Sequence, residues 1–363
     1  MRICYLADAS SSHTKKWCKY FKNLGYDIHV ISLNSGEIEG VQVHSLGIDS
    51  SKVAYGGLLS KASYVSRILT IRKLVKEINP DILHAHYASS YGLLGSLCGF
   101  HPYVLSVWGS DVYTFPKGSS IKRKVLEHNL KSADYLMSTS RDMARETKLY
   151  TNKEIMITPF GVDTNIFKPV DVDRDRDNIV IGTIKTLEPH YGIDYLIRAF
   201  HKLTLEYDNI RLRIAGKGSQ EEQLKSLTRE LNIEDKVEFL GFLSLNNIPV
   251  EFSKMDIAVI PSIHESFGVS SIEAQAVGRP VVVTDAGGLP ETIKDKVTGI
   301  LVKKEDVNSL YQGIKTLIDN RDLREQMGKS AIEFVLENYT VDKNFSEVNE
   351  FYKTITDKQF KEI

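Results

Sequence analysis

Short apolar or β-branched runs alternate along the chain with longer amphipathic stretches, and this alternation predicts strands and helices in turn. In the first half, strands are expected at 3–6, 27–32, 41–45, 82–85, 103–107, 135–138 and 155–157, and helices at 14–24, 59–78, 89–98 and 121–132. In the first of these helices Trp17, Phe21 and Leu24 share one face, at i, i+4 and i+7, while Lys15, Lys16, Lys19 and Lys22 take the rest. The second half repeats the pattern, with strands expected at 179–183, 211–215, 237–239, 257–260, 280–284 and 299–302 and helices at 194–206, 221–231, 270–277 and 307–317. Apolar runs without internal alternation fit strands buried on both faces, and strand–helix alternation predicts parallel, doubly wound sheets. At 168–177 the sequence KPVDVDRDRD is charged, carries a proline and has no apolar period, so it reads as a solvated linker. The expectation is an α/β protein of two Rossmann-like domains, 1–168 and 169–345, facing an interdomain cleft. Ligands in such sheets bind beyond the carboxyl ends of the strands.

The length of 363 residues agrees with about two domains. An apolar share of 42% and a charged share of 26% exclude a disordered, collagen-like or coiled-coil chain. The net charge of −1 argues against a nucleic-acid binder, but residues 1–170 hold 21 Lys and Arg against 14 Asp and Glu, and the remainder 25 against 33. A basic half joined to an acidic half suggests that one face meets something anionic. Cys4, Cys18 and Cys98 are few and widely spaced, which implies neither a disulfide framework nor a metal site. The start, MRICYLADAS, lacks the apolar stretch of a signal peptide and reads as a buried first strand, so a cytoplasmic protein is expected. From Ile82 to Ser110 there is no charged residue. His84, His86, His101, Pro102 and several serines interrupt that run, which fits a helix packed on a sheet better than a membrane span.

The chemistry concentrates at 261–291, PSIHESFGVSSIEAQAVGRPVVVTDAGGLPE. A strand ends at Pro261, a polar loop follows, and a helix begins near Ser270. Gly268 permits close approach of backbone to a ligand, and the amides of Gly268, Val269, Ser270 and Ser271 would point out of the helix start, where the dipole favours a phosphate. Glu265 and Glu273 bracket this turn, eight residues apart. Carboxylates beside a phosphate site suit the hydroxyls of a sugar and a ribose. For Glu273 a capping box with Ser270 as the cap is the competing structural role.

HESFGVSSIE resembles the E-x7-E signature of retaining glycosyltransferases of the GT-B fold, specifically glycosyltransferase family 4. PVVVTDAGGLPETI, TGILV, FGVDTNIF at 160–167 and DILHAHY at 81–87 extend the resemblance over nearly the whole chain. It implies a nucleotide-sugar donor held by the second domain. Glu265 would contact donor-sugar hydroxyls, Ser266 and the amides from Phe267 to Ser270 the sugar or diphosphate, and Glu273 the ribose. Glu291, after Gly287-Gly288, is either part of the site or a charge at a helix start.

Three stretches depart from the family pattern. The usual Arg and Lys that clamp the diphosphate are missing from IGTIKTLEPHYGIDYLI at 181–197: after Gly182, Thr183 or Thr186 stands near the Arg position and Tyr191 at the Lys position. Lys185 is the strong cation there and the candidate clamp, with His190 as an assistant. At LSVWGSD, Trp108 replaces a His that contacts the donor sugar in relatives, and His86 is the candidate to supply that polar contact. Asp111 either lines the cleft or caps the turn. In the first loop the stretch from Asp8 to Thr14 stands where relatives often carry Gly-Gly after the first strand, and Ser12 and His13 in it are candidates for donor or acceptor contact.

By resemblance the reaction is a retaining transfer of a hexosyl or N-acetylhexosaminyl unit from a nucleotide sugar, UDP being the commonest base, to a glycan or lipid-linked acceptor in bacterial surface polysaccharide or glycoconjugate synthesis. No metal-binding Asp-x-Asp stands outside the linker, so no cofactor and no metal dependence are expected. The basic residues of the first domain, with Lys122, Arg123 and Lys124, would suit an anionic membrane surface on the inner face of the cell. The tail at 339–363 is amphipathic, and its helix, about 346–363, is expected to fold back on the first domain. Three other classes compete. A dehydrogenase has only the weak Gly216-Lys217-Gly218 in its favour. A GT-B nucleotide-sugar epimerase would need no acceptor, and a non-catalytic nucleotide-sugar-binding module would not turn over.

Overall fold

The computed structural model describes residues 1–48, 67–175 and 177–361, and the part of the predicted helix at 59–66 lies outside them. The chain divides into two compact units, one of Met1–Phe160 with Asp342–Ile363, the other of Gly161–Val341.

The first unit is built on a seven-stranded sheet of β1 (Arg2–Leu6), β2 (Asp27–Ser32), β3 (Gln42–Ser45), β4 (Ile82–His86), β5 (Tyr103–Val107), β6 (Tyr135–Ser138) and β7 (Ile155–Ile157). The spatial order is β3-β2-β1-β4-β5-β6-β7, and the pairs are parallel. Parallel neighbours need a crossover, supplied here by helices such as Ser12–Asn23, Ile68–Ile78, Tyr91–Cys98 and Ser120–Ser132. The strands are apolar on both sides because helices cover both sides: Leu6, Leu83, Ala85, Leu105 and Leu136 are buried among Ile71, Val75, Leu94, Leu126 and Leu130. Cys4 is also in this core, and the three cysteines are free.

The C-terminal helix, Val341–Lys361, completes this unit. Phe345 packs on Trp17 with ring centres 4.6 Å apart. Tyr26 Oη donates to Asn349 Oδ1 at 2.7 Å, and Tyr352 Oη lies 2.5 Å from His84 Nδ1. The predicted apolar face of the first helix thus has the tail as one of its partners.

The second unit carries β8 (Ile179–Ile184), β9 (Ile210–Ala215), β10 (Val237–Gly241), β11 (Ile257–Ile260), β12 (Val281–Thr284) and β13 (Gly299–Val302), in the parallel order β10-β9-β8-β11-β12-β13. Its core sets Ile181, Leu212, Ile257, Val259 and Val282 against helices Ile193–Thr204 and Val307–Ile318. The packing break falls between Phe160 and Gly161, ahead of the charged stretch at 168–177. That stretch is tied to the second unit: Val170 N donates to Ser253 Oγ at 3.2 Å, and Arg174 pairs with Asp256 at 2.9 Å.

Strand order reverses between β1 and β4 in one sheet and between β8 and β11 in the other. The loops that leave the carboxyl ends of these strands diverge there and leave a crevice for a ligand.

Candidate functional site

In the second unit the crevice is flanked by the loop after β8, the loop after β11 and the helix Val269–Ala276. Lys185 is the first residue past β8, and its amide still donates to Ala215 O at 2.9 Å. Its ammonium reaches across the switch point to Glu265 Oε2 at 2.5 Å, with side chains only 12% and 8% exposed. The same ammonium lies 4.3 Å from the centre of the Tyr191 ring. Ser262 Oγ donates to the same Glu265 oxygen at 3.2 Å. Burial alone would pull the Lys185 pKa down, but the Glu265 carboxylate, Tyr191 and Glu273 outweigh it and the pKa is raised. The two residues the sequence singles out as sugar contact and phosphate clamp, 80 positions apart, therefore form one ion pair.

Backbone contacts hold this arrangement. His190 O accepts from Ile263 N at 2.9 Å and His264 N at 3.1 Å, joining the β8 loop to the β11 loop. The His190 pKa is lowered, first by burial and then by the Lys185 charge, against the pull of Glu265. Gly288 N donates to Glu265 O at 3.1 Å, so the Gly-Gly turn braces the loop that carries the glutamate. Gly216 has φ +142°, and a Cβ there would lie 1.8 Å from Lys185 O. The Gly-x-Gly at 216–218 therefore serves close packing of the β9 loop against the β8 loop.

The helix at 269–276 is capped by Gly268 and not by Ser270, so the capping box that competed as a role for Glu273 is absent; the cap position has φ 108° and no side-chain bond. Only glycine takes that backbone conformation readily, and a Cβ would meet Leu289 Cδ2 at 2.5 Å. Ser270 is one residue inside, with its Oγ buried and without a partner. The first-turn amides of a helix have no intrahelical acceptor and carry the positive end of its dipole. Val269 and Glu273 are half-buried on this helix and Phe267 is covered, its ring 5.5 Å from Tyr339. Ser266 is half-buried in the loop. Gln275 Nε2 donates to Thr292 O at 2.7 Å, and Thr292 Oγ1 to Ser271 Oγ at 2.8 Å, which fixes the helix against the chain after Glu291. Gly182 and Thr183 are buried inside β8, Gly182 against Met255, just ahead of Lys185 along the strand. The sequence reading names neither Tyr191 as a partner of Lys185 nor Ser262, Gln275 and Thr292. Tyr191 was legible only as a missing lysine.

In the first unit the candidates lie at the carboxyl ends of β1, β4 and β5. His86 ends β4, is 1% exposed and has both ring nitrogens without a partner. Trp108 lies on it with ring centres 4.4 Å apart, and Trp17 and Tyr5 stand 5.2 Å away. Burial, and after it His84 and His13, hold its pKa well below the usual imidazole value, so the ring is neutral. His13 stacks on Phe160 at 4.0 Å, and Ser12 opens its helix exposed. Asp111 is a turn cap: it accepts from Ala88 N at 2.6 Å, Gly109 N at 2.7 Å and Trp108 N at 3.2 Å. Burial raises its pKa in spite of these donors. Among the described residues no group of three His, Cys, Asp or Glu side chains is placed to hold a metal, and no helix is long and apolar enough to cross a membrane.

Comparison with known proteins agrees with this fold. The family model "Glycosyl transferase 4-like" matches residues 2–140, and "Glycosyl transferases group 1" matches residues 166–334. An uncharacterized glycosyltransferase of Methanocaldococcus jannaschii is 36% identical over 203 residues, 54% of this chain and 52% of the relative. The N-acetyl-alpha-D-glucosaminyl L-malate synthase of Bacillus anthracis is 26% identical over 288 residues, 76% of this chain and 74% of that protein. Among solved structures, Anabaena HepE in complex with UDP-glucose superposes with a TM-score of 0.80 at 18% identity, covering 98% of this chain and all of that one. The chain is a glycosyltransferase of the GT-B type.

Proposed function

We propose that the protein is a retaining glycosyltransferase that moves a hexosyl or N-acetylhexosaminyl unit from a UDP-sugar to a glycan or lipid-linked acceptor. The observation that carries this reading is the Lys185–Glu265 pair at the sheet's switch point, beside the amino end of the helix 269–276. A donor diphosphate placed on the amides of Val269 and Ser270 draws Lys185 from its carboxylate partner. Glu265 then has its oxygens for a sugar hydroxyl, and Glu273 for the ribose. The HepE structures in complex with UDP, with UDP and glucose, and with UDP-glucose support a uridine donor.

The reaction joins the acceptor hydroxyl oxygen to the anomeric carbon while the bond from that carbon to the diphosphate oxygen breaks. The bonding electrons leave with the diphosphate, whose freed oxygen takes the hydroxyl proton on the same face of the sugar. No second carboxylate is called on as a nucleophile, which distinguishes this route from that of retaining glycosidases. The task of the protein is to stabilise charge growing on the leaving group, by Lys185 and the helix amides. In the first unit, His86 is neutral and buried beneath Trp108, so it acts through the position of that ring; Ser12, His13 and Trp108 are proposed to meet donor or acceptor. Exposed Lys15, Lys19, Lys22, Arg123 and Lys124, with Ile121 71% exposed, are proposed to meet an anionic membrane surface.

The deciding experiment is incubation with UDP- and GDP-sugars, with and without acceptor and with and without chelator, reading nucleotide release and the anomeric configuration of the product. Acceptor-dependent release with retained configuration and indifference to chelator is expected. Conversion of the donor into its epimer without acceptor would indicate an epimerase, and binding without turnover a non-catalytic module. Flotation with anionic and neutral liposomes tests the membrane surface, and equal flotation or none removes it.

A further inference from the structure

A cavity of about 890 Å³ opens at the opposite end of the six-stranded sheet, beside the amino ends of β8, β9, β11 and β12. Its wall includes Arg174, Asp256, Arg279, Arg321, Arg324 and Lys329. Most of these charges are committed. Arg174 pairs with Asp256 Oδ1 at 2.9 Å, and Asp256 Oδ2 accepts from Val180 N at 2.9 Å, so both oxygens of that carboxylate are used. Arg321 pairs with Glu325 at 2.9 Å. Arg324 Nη1 donates to the carbonyls of Leu317 at 2.5 Å and Ile318 at 2.8 Å, at the end of the helix Val307–Ile318.

Arg279 differs. It is half-buried, forms no ion pair among the described residues, and has a buried Nε with no acceptor. Its pKa is lowered to about 10, first by burial and then by the charge of Arg174, against the weaker pull of the Asp256 carboxylate. Burial lowers Arg324 as well, and Arg321 and Arg174 add to this against the pull of Asp256. An unpaired guanidinium in such a place is costly unless its fork of N–H donors meets an oxyanion, for which phosphate has matching geometry. The rim narrows the choice, because Asp171, Asp173, Asp175 and Asp177 are exposed around the opening and repel a long polyanion.

We propose that this cavity is a binding site for a single phosphate group, free or as a phosphomonoester, with Arg279 as its principal donor. It is separate from the donor crevice: Asp256 precedes β11 and the Glu265 loop follows it, so the two lie at opposite ends of one strand.

The test is thermal unfolding of the full chain carrying Lys185→Ala, which weakens phosphate binding at the donor loop, titrated with inorganic phosphate, β-glycerophosphate or chloride at matched ionic strength. A saturable rise in melting temperature of at least about 2 °C with phosphate and not with chloride is expected. A larger rise with β-glycerophosphate identifies a phosphomonoester, and a larger rise with inorganic phosphate the free ion. Arg279→Leu should abolish the rise and, without phosphate, melt no lower than its parent, because an apolar side chain replaces an unpaired buried charge. Arg279→Gln serves the same comparison should the leucine variant fold poorly. An equal rise in the Arg279 variants, a matching rise with chloride, or no rise at all overturns the proposal.

Discussion

Lys185 Nζ stands 2.5 Å from Glu265 Oε2 and 4.3 Å from the centre of the Tyr191 ring, so one ammonium is shared by a carboxylate and an aromatic face. The resemblance implies two cations on a donor diphosphate, and here a single lysine stands over Tyr191, at the position of one of them. Under the proposed function the Lys185–Glu265 pair is one that the donor opens.

Lys185→Met should lower turnover about 10²- to 10³-fold through loss of one charge-stabilising contact. It should also destabilise the fold by about 3–5 kcal/mol, because Glu265 is left buried with Ser262 as its remaining side-chain partner among the described residues. Adding Glu265→Gln should restore much of the melting temperature and none of the turnover. Calorimetry of the two variants checks this; a double variant no more stable than the single one means the pair is not a buried ion pair.

Tyr191 holds the ammonium by its ring face. Tyr191→Phe keeps that face and should leave donor KM within about twofold, while Tyr191→Ala should lose about 0.5–2 kcal/mol of positioning, a rise of roughly 2- to 30-fold in donor KM. Steady-state kinetics against donor concentration separates the two, and equal effects would mean that the hydroxyl matters and not the ring.

Gly268→Ala places a Cβ on a backbone with φ 108° and against Leu289. Roughly 1–2 kcal/mol of strain is expected, with a turned helix start and weaker UDP binding in a calorimetric titration. Unchanged UDP affinity would separate the helix start from phosphate binding.

His84 and His86 give the first unit a pH dependence. Burial lowers His84 to about 3, and burial with the neighbouring His84 and His13 holds His86 well below its ordinary value. Folded, both stay neutral; unfolded, each takes a proton below about 6.5. Stability is therefore full above that value and falls as the pH drops, by about 2 kcal/mol per histidine at pH 5. Chemical denaturation between pH 7 and 5 should show this slope, halved in His86→Phe. An unaltered slope in that variant would place the linkage elsewhere.

Much of the fold was legible in the sequence, and the thirteen strands of the described residues appear where apolar runs predict them. The run IAVI before Pro261 is such a strand because a segment buried on both faces needs apolar residues throughout. The helices Arg141–Thr147, Ile248–Lys254 and Arg321–Asn338 were not read. In Arg321–Asn338 only Met327, Gly328, Ala331 and Val335 are buried, too sparse a stripe to stand out in a charged segment. The capping box that competed as a structural role for Glu273 is absent, because this turn demands the positive φ that glycine supplies at Gly268.

Local pattern and residue chemistry by themselves determined the alternating elements, the parallel sheets and the acidic pair around Gly268, since each depends on neighbours within a few turns. The tertiary structure alone decided that Lys185 meets Glu265 and Tyr191, that His86 lies buried beneath Trp108, that Asp111 caps a turn, and that Arg279 faces a cavity without a partner among the described residues. Those are contacts between strands and loops far apart in the chain, set by strand order and packing, and local periodicity carries no record of them.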